Sequence, residues 1–263
     1  MKRSIFLLIG ILLVSCGKET MTYDTDVSTP IVEGYLTTGA SSLTVKVYTM
    51  ESFDENNIAL SKPVKNLELY VNDIKLTETA DGTYTLISAD GILNEGNTCN
   101  LRFEYNNKTI TASTTMPAHP QNLQISNSDI FLGSSSGLYW SDSIPDVKIT
   151  WNNTDNDYYQ VYIRSPDNSE SVPLFGGERF GKMMMQPFQG NSYQLQRRDM
   201  MSTGRYVCYL YKVNKDYVEL YERISSSDLA NPVSYITNGL GIFTGMSADT
   251  IPYRVDETSD LLK

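Results

Sequence analysis

The chain has 263 residues, of which 21 are basic and 31 are acidic, giving a net charge of −10. This balance argues against a nucleic-acid partner, because binding to phosphate depends on clustered Lys and Arg, and the sequence offers little beyond Arg197-Arg198. The length allows one large or two ordinary domains, each able to bury its own core.

The first 16 residues have the layout of a secretory signal. Lys2 and Arg3 supply positive charge, and residues 5–14 form an apolar run that is shorter than the about 20 residues of a membrane-spanning helix. Residues 13–16, LVSC, resemble the lipobox of bacterial lipoproteins, which implies cleavage before Cys16 and acylation of this cysteine. An ordinary signal peptide with an incidental cysteine is the alternative. We predict a signal peptide at 1–15, whose removal lowers the basic count from 21 to 19 and takes the net charge from −10 to −12.

The next segment, residues 16–29, holds the lipidated cysteine and a polar stretch without periodicity, which is typical of a flexible tether. Apolar and polar residues then alternate at 43–47 and at 67–71, as expected for half-buried strands. Tight hairpin turns are indicated by three pairs of residues that tolerate positive φ, namely Asn72-Asp73, Asp81-Gly82 and Asn106-Asn107. These features predict a β-sandwich over residues 30–118.

Two prolines, Pro117 and Pro120, interrupt the strand pattern and mark the start of a second domain at 119–263. Residues 147–151, VKITW, and 159–163, YQVYI, resemble the opening strands of a fibronectin type III domain. A short helix is expected to begin near Asn214 or Asp216. The predicted fold class is mostly β, with two tandem β-sandwich domains of immunoglobulin/fibronectin III-like type and one short helix near the C-terminus.

Two cysteines remain after Cys16. Cys99 and Cys208 each lie among apolar residues of the same strand face, which favours two buried thiols, although a secreted protein could also join them in a disulfide.

The segment 236–243, ITNGLGIF, carries a family resemblance. Together with the lipobox, VEGYL at 32–36 and Pro117, it is similar to Bacteroidota lipoproteins of the domain-of-unknown-function-4249 type. Members are typically encoded beside TonB-dependent outer-membrane receptors, so the resemblance implies an accessory role in capturing or passing cargo and brings no catalytic residues. Gly239 and Gly241 permit close backbone approach, and we expect this segment to lock onto the second sandwich, a binding loop being the alternative.

The chemistry-bearing residues do not assemble into a recognisable catalytic or metal site. His119 is the only histidine, so the sequence supports neither a Ser-His-Asp arrangement nor a multi-histidine zinc site. Residues 153–157 have the alternating Asn and Asp spacing of a calcium loop, but Tyr158 and Arg164 stand at the positions of its glycine and glutamate, which favours a solvated hairpin loop. Paired carboxylates could cleave a glycosidic bond, yet the sequence alone selects no pair. We predict a protein that is not an enzyme and uses no cofactor or metal.

Two loops have an apolar content that could serve binding. Residues 173–190 are rich in methionine and aromatic residues, which adapt well to partner surfaces, and the candidates are Phe175, Phe180, Met183, Met184, Met185 and Phe188. This segment could instead fold back and cover the sandwich. The second loop contains Tyr139 and Trp140, whose rings could stack on a sugar or a peptide or anchor their own loop.

Two short motifs, Asp142-Ser143-Ile144 and Asp249-Thr250-Ile251, resemble the Asp-Ser/Thr-apolar motif of O-glycosylation in the Bacteroidota periplasm. The resemblance implies that Ser143 and Thr250 are candidate acceptors, with unmodified loop hydroxyls as the alternative.

The leading functional hypothesis is an outer-membrane surface lipoprotein that acts as a binding or accessory module for a TonB-dependent transporter. The alternative is a structural or adhesive lipoprotein of fimbrial type, since tandem lipidated sandwiches also build fimbriae. Lys18-Glu19, just after the anchor, is similar to the acidic signal of surface-exposed Bacteroidota lipoproteins. We therefore expect the body to face the cell exterior, with the periplasmic face as the alternative.

Overall fold

Short β-strands dominate the part of the chain that the structure, a computed structural model, describes: residues 29–53, 59–132, 146–164, 185–200, 204–226 and 235–257. In chain order the elements are β1 (Ile31–Thr37), β2 (Leu43–Phe53), β3 (Ala59–Pro63), β4 (Tyr70–Val71), β5 (Ile74–Lys75), β6 (Thr77–Ala80), β7 (Thr83–Leu86), β8 (Thr98–Tyr105), β9 (Lys108–Thr115), β10 (Gln121–Ile125), β11 (Asp129–Leu132), β12 (Lys148–Asn152), β13 (Tyr158–Arg164), β14 (Phe188–Gln189), β15 (Ser192–Gln194), a 3-10 helix (Arg197–Met200), β16 (Gly204–Val213), α1 (Lys215–Ser226) and β17 (Leu240–Glu257).

The strands form one large sheet and two small ones. The large sheet has the order β14-β13-β16-β17-β1-β2-β7-β6, with β11 also paired to β17 and β3 also paired to β2. The small sheets have the orders β5-β4-β8-β9 and β10-β12-β15. Each small sheet encloses a hydrophobic core against part of the large one. The chain is therefore a mostly β protein of β-sandwich type with one α-helix in the described residues, which confirms the predicted fold class.

Strand β17 connects the two halves of the large sheet. Its residues 240–246 pair in parallel with β1, and its residues 246–255 pair in antiparallel fashion with β16. Its final residues, 254–257, also pair in parallel with β11. The two sandwiches consequently share a continuous sheet, and the boundary at 118 to 119 and the other domain limits stay predictions.

The first core lies between β1, β2 and β7 on one side and the four-stranded sheet on the other. Burial alternates along β8, where Cys99, Leu101 and Phe103 are buried and the residues between them are exposed. Full burial of a large apolar side chain contributes about 1.5–3 kcal/mol, so this period-2 pattern fixes which face of β8 points inward. The alternation predicted at 43–47 is likewise confirmed, because Leu43, Val45 and Val47 are all buried.

The second core lies between β13, β16 and β17 and the three-stranded sheet. The tryptophan of the VKITW segment, Trp151, is 4% exposed, and its ring lies 5.4 Å from that of Tyr159 and 5.9 Å from that of Phe188. Cys208 belongs to this core and Cys99 to the first one, and both are free thiols, which confirms the prediction of two buried thiols.

Helix α1 packs against the large sheet through a third cluster of buried residues. Tyr217 and Val218 of the helix contact Ile242 and Met246 of β17 there. The Tyr217 hydroxyl donates a hydrogen bond of 2.8 Å to Gln160 Oε1, so this buried polar pair is satisfied. The predicted short helix is thus confirmed.

The predicted hairpin turns have the backbone conformation that their residues favour. Asn72 and Asp73 have φ of 47° and 62°, and Asn106 and Asn107 have φ of 48° and 59°, the left-handed values of a tight hairpin turn. Gly82 has φ of 65°. These turns fix the register of β4 with β5 and of β8 with β9.

One expectation about the C-terminal segment was wrong. The segment ITNGLGIF does not lock onto the second sandwich, because Ile236 and Phe243 lie in the first core and Leu240 pairs with Ile31. The physical reason is that β17 pairs in parallel with β1, which lies about 200 residues earlier in the chain. The sequence pattern favoured the second core because that core is formed by segments nearer along the chain.

Candidate functional site

The outer face of the four-stranded sheet carries the polar residues of a groove. Along β8, Asn100 and Arg102 are exposed while their neighbours point into the first core. On β9, Ser113 is exposed and Thr111 is partly exposed on the same face. The alternation that builds the core therefore also places a row of hydrogen-bonding side chains on one rigid surface.

The side chains of Asn72, Asn100 and Ser113 form the floor of this groove, and hydrogen bonds hold them in place. Asn72 Oδ1 accepts bonds of 2.8 Å from the Asn100 backbone N–H and 3.4 Å from its side-chain amide. Ser113 Oγ donates to Asn100 Oδ1 at 2.9 Å, and Asn72 Nδ2 donates to the Thr98 carbonyl at 3.0 Å. Because each amide is fixed by a neighbour, its remaining N–H points in a defined direction.

A cation and a carboxylate stand at one side of the floor. The Arg102 guanidinium lies 5.0 Å from the centroid of the Tyr70 ring and 3.8 Å from Asp73 Oδ1. Both side chains are well exposed, 50% for Arg102 and 93% for Asp73, so their ion pair contributes little to stability. Stacking on Tyr70 restrains the guanidinium while most of its five N–H donors stay available.

An aromatic ring from a distant segment forms the other side. Thr237 pairs with the edge of β9, its N–H donating to the Thr111 carbonyl at 2.8 Å, and this bridge brings Tyr235 to the groove. The Tyr235 hydroxyl donates to the Glu219 carboxylate of α1. Partial burial and the Glu219 carboxylate raise the pKa of Tyr235 to about 12, so its phenol stays neutral at physiological pH. Tyr235 as a whole residue is 38% exposed.

Together these side chains line a groove with a volume of about 570 Å³. This volume lies within the roughly 300–1,000 Å³ of small-molecule sites, and the groove offers several directional polar groups beside one aromatic face. Of the described residues that line it, only Asp73 carries a carboxylate. The arrangement can donate and accept hydrogen bonds, but it lacks the carboxylate pair that glycosidic hydrolysis needs.

Two candidates from the apolar loop lie within the described residues, and both pack inward. Met185 and Phe188 are partly buried against the second core. The Met185 backbone is held at both polar atoms, because its N–H donates to the Val161 carbonyl at 2.9 Å and its carbonyl accepts from Gln160 Nε2 at 2.9 Å. For these two residues the structure supports the alternative in which the segment covers the sandwich.

Of the other predicted site residues, one lies within the described residues and the rest lie outside them. Thr250 is exposed in the middle of β17, opposite Tyr209, so its hydroxyl lies on a strand and not in a loop, and its glycosylation stays a prediction. The remaining candidates lie outside the described residues, namely Cys16, Tyr139, Trp140, Ser143, Phe175, Phe180, Met183 and Met184.

The histidine lies beside a serine in a geometry that does not suit nucleophilic attack. His119 Nδ1 is 3.1 Å from Ser247 Oγ. Ser247 is fully buried, however, so a substrate carbonyl cannot reach its hydroxyl. This pair fastens the segment that follows β9 to β17.

The polar loop at 153–157 is organised by its own side chains. Asn153 Oδ1 accepts the Asp157 N–H at 2.8 Å, and Asn153 Nδ2 donates to the Gly190 carbonyl at 3.0 Å. Lys212 binds Asp157 at 2.5 Å. These contacts are those of a hairpin loop. Within the described ranges, no group of three or more metal-binding side chains comes together.

The sequence signals for the groove were partial. Asn72-Asp73 indicates only a turn, and the alternation around Cys99 and Leu101 is the sequence signal for the polar face of β8. Tyr235 carries no such signal, because its place beside β9 depends on the Thr111–Thr237 bridge across more than 120 residues of sequence.

Comparison with known proteins gives a family and distant structural likenesses. Residues 18–251 match the family described as Domain of unknown function (DUF4249). Among curated proteins no match is found. A crystal structure of titin domains A168–A170 is 11% identical, with 88% of this chain and 66% of that chain covered at a TM-score of 0.20. A crystal structure of DIP-gamma IG1+IG2 is 13% identical, with 88% and 98% covered at a TM-score of 0.19. At such scores these likenesses carry no conclusion.

Proposed function

The chain belongs to the family of unknown function DUF4249, and on that premise we propose that it is an outer-membrane surface lipoprotein that binds cargo for a TonB-dependent receptor. The observation that carries the binding role is the groove on the four-stranded sheet, whose polar floor is fixed by the bonds among Asn72, Asn100 and Ser113. A preformed site costs less ordering entropy on binding than a flexible loop, so it suits a protein that must retain its ligand until transfer.

A binding role fits the chemistry of the groove better than a catalytic one. Among the described residues that line the groove, only Asp73 carries a carboxylate, and its side chain is 93% exposed beside the Arg102 guanidinium. Glycosidic hydrolysis needs a pair of carboxyl groups placed on either side of the bond that is cleaved. We therefore assign the groove to recognition and propose no reaction for it.

The N-terminal sequence supports attachment to a membrane. The lipobox ends at Cys16, and β1 begins at Ile31, so about 14 residues separate the proposed acyl anchor from the first strand. The flexible tether that the sequence predicts there would have a root-mean-square reach of about 20 Å, enough to separate the body from the lipid head groups. The described residues contain no helix of the length and apolar character needed to cross a membrane.

The receptor partnership is tested by isolating the protein with its neighbours. The tagged, lipidated protein is purified from mild detergent extracts, and co-purifying proteins are identified by mass spectrometry. We expect a receptor-sized outer-membrane barrel in amounts comparable to the bait. A Cys16→Ala variant serves as the control, because it lacks the proposed anchor and should lose the barrel. Repeated recovery of intact bait without any barrel would reject the receptor role.

The adhesive alternative predicts a different phenotype for cells that lack the gene. An adhesive subunit of fimbrial type should form polymers of itself, and a strain without the gene should lose attachment while it keeps nutrient uptake. The transport role requires the opposite pattern, with attachment kept and uptake of one nutrient class reduced.

A further inference from the structure

We propose that the groove lined by Asn72, Asn100, Arg102, Ser113 and Tyr235 binds a neutral, hydroxyl-rich ligand, a short oligosaccharide by chemical class. This inference rests on the proposed binding function and specifies its ligand. It follows from the hydrogen-bonding capacity of the floor, the balance of charge, the fixed aromatic ring and the edge of β9.

The floor matches groups that both donate and accept. Asn100 Oδ1 accepts from Ser113, and the side-chain amides of Asn100 and Asn72 each donate one N–H within the protein, which leaves the second N–H of each amide available to a ligand. Asp73 adds exposed acceptor oxygens within the same groove. Sugar hydroxyls can satisfy donors and acceptors at once, and each such bond to a fixed group adds discrimination against ligands that lack the hydroxyl.

The charges of the groove favour a neutral ligand. Asp73 and Arg102 lie 3.8 Å apart and carry opposite charges, so the described residues of the lining carry no net charge. The whole chain carries a net charge of −10, which disfavours the approach of anionic ligands over long distances. A cationic ligand would find the Asp73 carboxylate already paired with Arg102 and would meet the guanidinium as a like charge. A neutral ligand avoids both penalties.

The aromatic side chain is placed for stacking. Its hydroxyl is engaged by Glu219, which fixes the orientation of the Tyr235 ring and leaves 38% of the residue exposed. The apolar C–H face of a pyranose ring packs on a flat aromatic surface, and a ring already held in position loses little entropy when it does so.

A peptide fits the groove less well, because extended peptides bind by adding a strand to a free sheet edge. The edge of β9 at the groove is already paired with another segment, because Thr111 and Thr237 exchange backbone hydrogen bonds of 2.8 and 3.4 Å. Asn238 Nδ2 also donates to the Thr109 carbonyl at 2.9 Å. Strand addition would have to displace this segment.

The test is binding of the purified mature protein to an array that carries neutral oligosaccharides, anionic glycans and uncharged peptides, followed by titration calorimetry with the strongest neutral glycan. We expect binding to neutral glycans. Arg102→Ala and Tyr235→Ala should each weaken it by about tenfold, which corresponds to about 1.4 kcal/mol. Tyr235→Phe keeps the ring and should retain most of the affinity. Glu104→Gln lies on the same face of β8 outside the groove and is the matched control.

Thermal melting of each variant separates loss of binding from loss of fold. Arg102→Ala removes only exposed contacts, so it should melt within a few degrees of the parent protein. The inference is overturned by the absence of any neutral glycan among the bound probes, by preference for anionic glycans or peptides, or by neutral-glycan binding that all groove variants retain. Binding of a peptide in the groove would overturn the ligand class and leave the binding function intact. Glycan binding without a co-isolated receptor would keep the ligand class and reject the receptor role.

Discussion

Gly241 of β17 lies so close to Val32 of β1 that a Cβ atom at position 241 would overlap the Val32 carbonyl oxygen. The Gly241 backbone has φ of 97°, a conformation that residues with a side chain rarely adopt. Both features follow from the parallel pairing that inserts the C-terminal strand beside the first one. Gly241 of the ITNGLGIF segment is thus required because the two backbones approach each other closely at this position.

Gly241→Ala should disrupt this pairing. We expect a loss of about 3 kcal/mol or more in the free energy of unfolding, from the strained φ and from overlap with the β1 backbone. Urea unfolding of the mature chain measures this loss of free energy. Gly91→Ala is the matched control: its φ is 79°, but a Cβ there meets nothing within 4 Å, so it should cost only about 1 kcal/mol. Equal costs for the two variants would contradict the close approach.

Gly34 and Phe243 should be energetically coupled across the same strand pair. A Cβ at Gly34 would lie 2.7 Å from Phe243 Cδ2, and Phe243 is 1% exposed in the first core. Phe243→Ala should cost about 3–5 kcal/mol. Gly34→Ala should cost about 1–3 kcal/mol in the parent protein and much less in Phe243→Ala, because the clash is then gone. Additive effects in this double-mutant cycle would contradict the contact.

The helix–sheet contact at Asp216 should make stability depend on pH. Burial raises the pKa of Asp216, while hydrogen bonds from the Thr244 hydroxyl and the Tyr217 N–H oppose the rise. A carboxyl group with a higher pKa in the folded state binds more protons when folded. The free energy of unfolding therefore falls as the pH rises from the unfolded value of about 3.9 through the raised folded pKa.

Asp216→Asn should reduce this decline, because the amide keeps an acceptor oxygen and carries no charge. Urea unfolding at several pH values between about 4 and 7 measures it. Asp216→Ala is the contrasting variant, since it leaves the fully buried Thr244 hydroxyl without its acceptor and should cost about 1–3 kcal/mol across the range. An unchanged pH slope in Asp216→Asn would show that this carboxyl group does not carry the effect.

The two core cysteines should resist modification. Burial raises the pKa of the Cys99 thiol to about 11 and that of Cys208 to about 12, the latter with a further contribution from Asp199. Thiolate is the reactive form, so a thiol reagent near pH 8 should modify neither residue in the native protein and both in urea. Intact mass should show two free thiols. Rapid modification of either thiol in the native protein would contradict their burial. An intact mass lower by two hydrogens would indicate a disulfide and would contradict their separate positions.

Local sequence patterns were sufficient for the strands and turns but not for the connections between distant segments. The alternation at Leu43, Val45 and Val47 and the Asn72-Asp73 turn depend on neighbouring residues, so their structure could be predicted from the sequence. The pairing of Gly241 with Val32 and the approach of Tyr235 to the groove depend on contacts across more than 100 residues. No period in the sequence encodes such contacts.

We propose that the folded body lies outside the cell, held by lipid at Cys16, because the protein must bind its cargo before the cargo is transported. Protease is added to intact cells, and residues 30–263 are followed by immunodetection. We predict that the native protein is degraded and that replacing Lys18 and Glu19 with alanine shifts it to a protected location. Full protection of the native protein, in cells whose known surface proteins are removed by the same protease, would contradict both the exterior location and the capture of cargo.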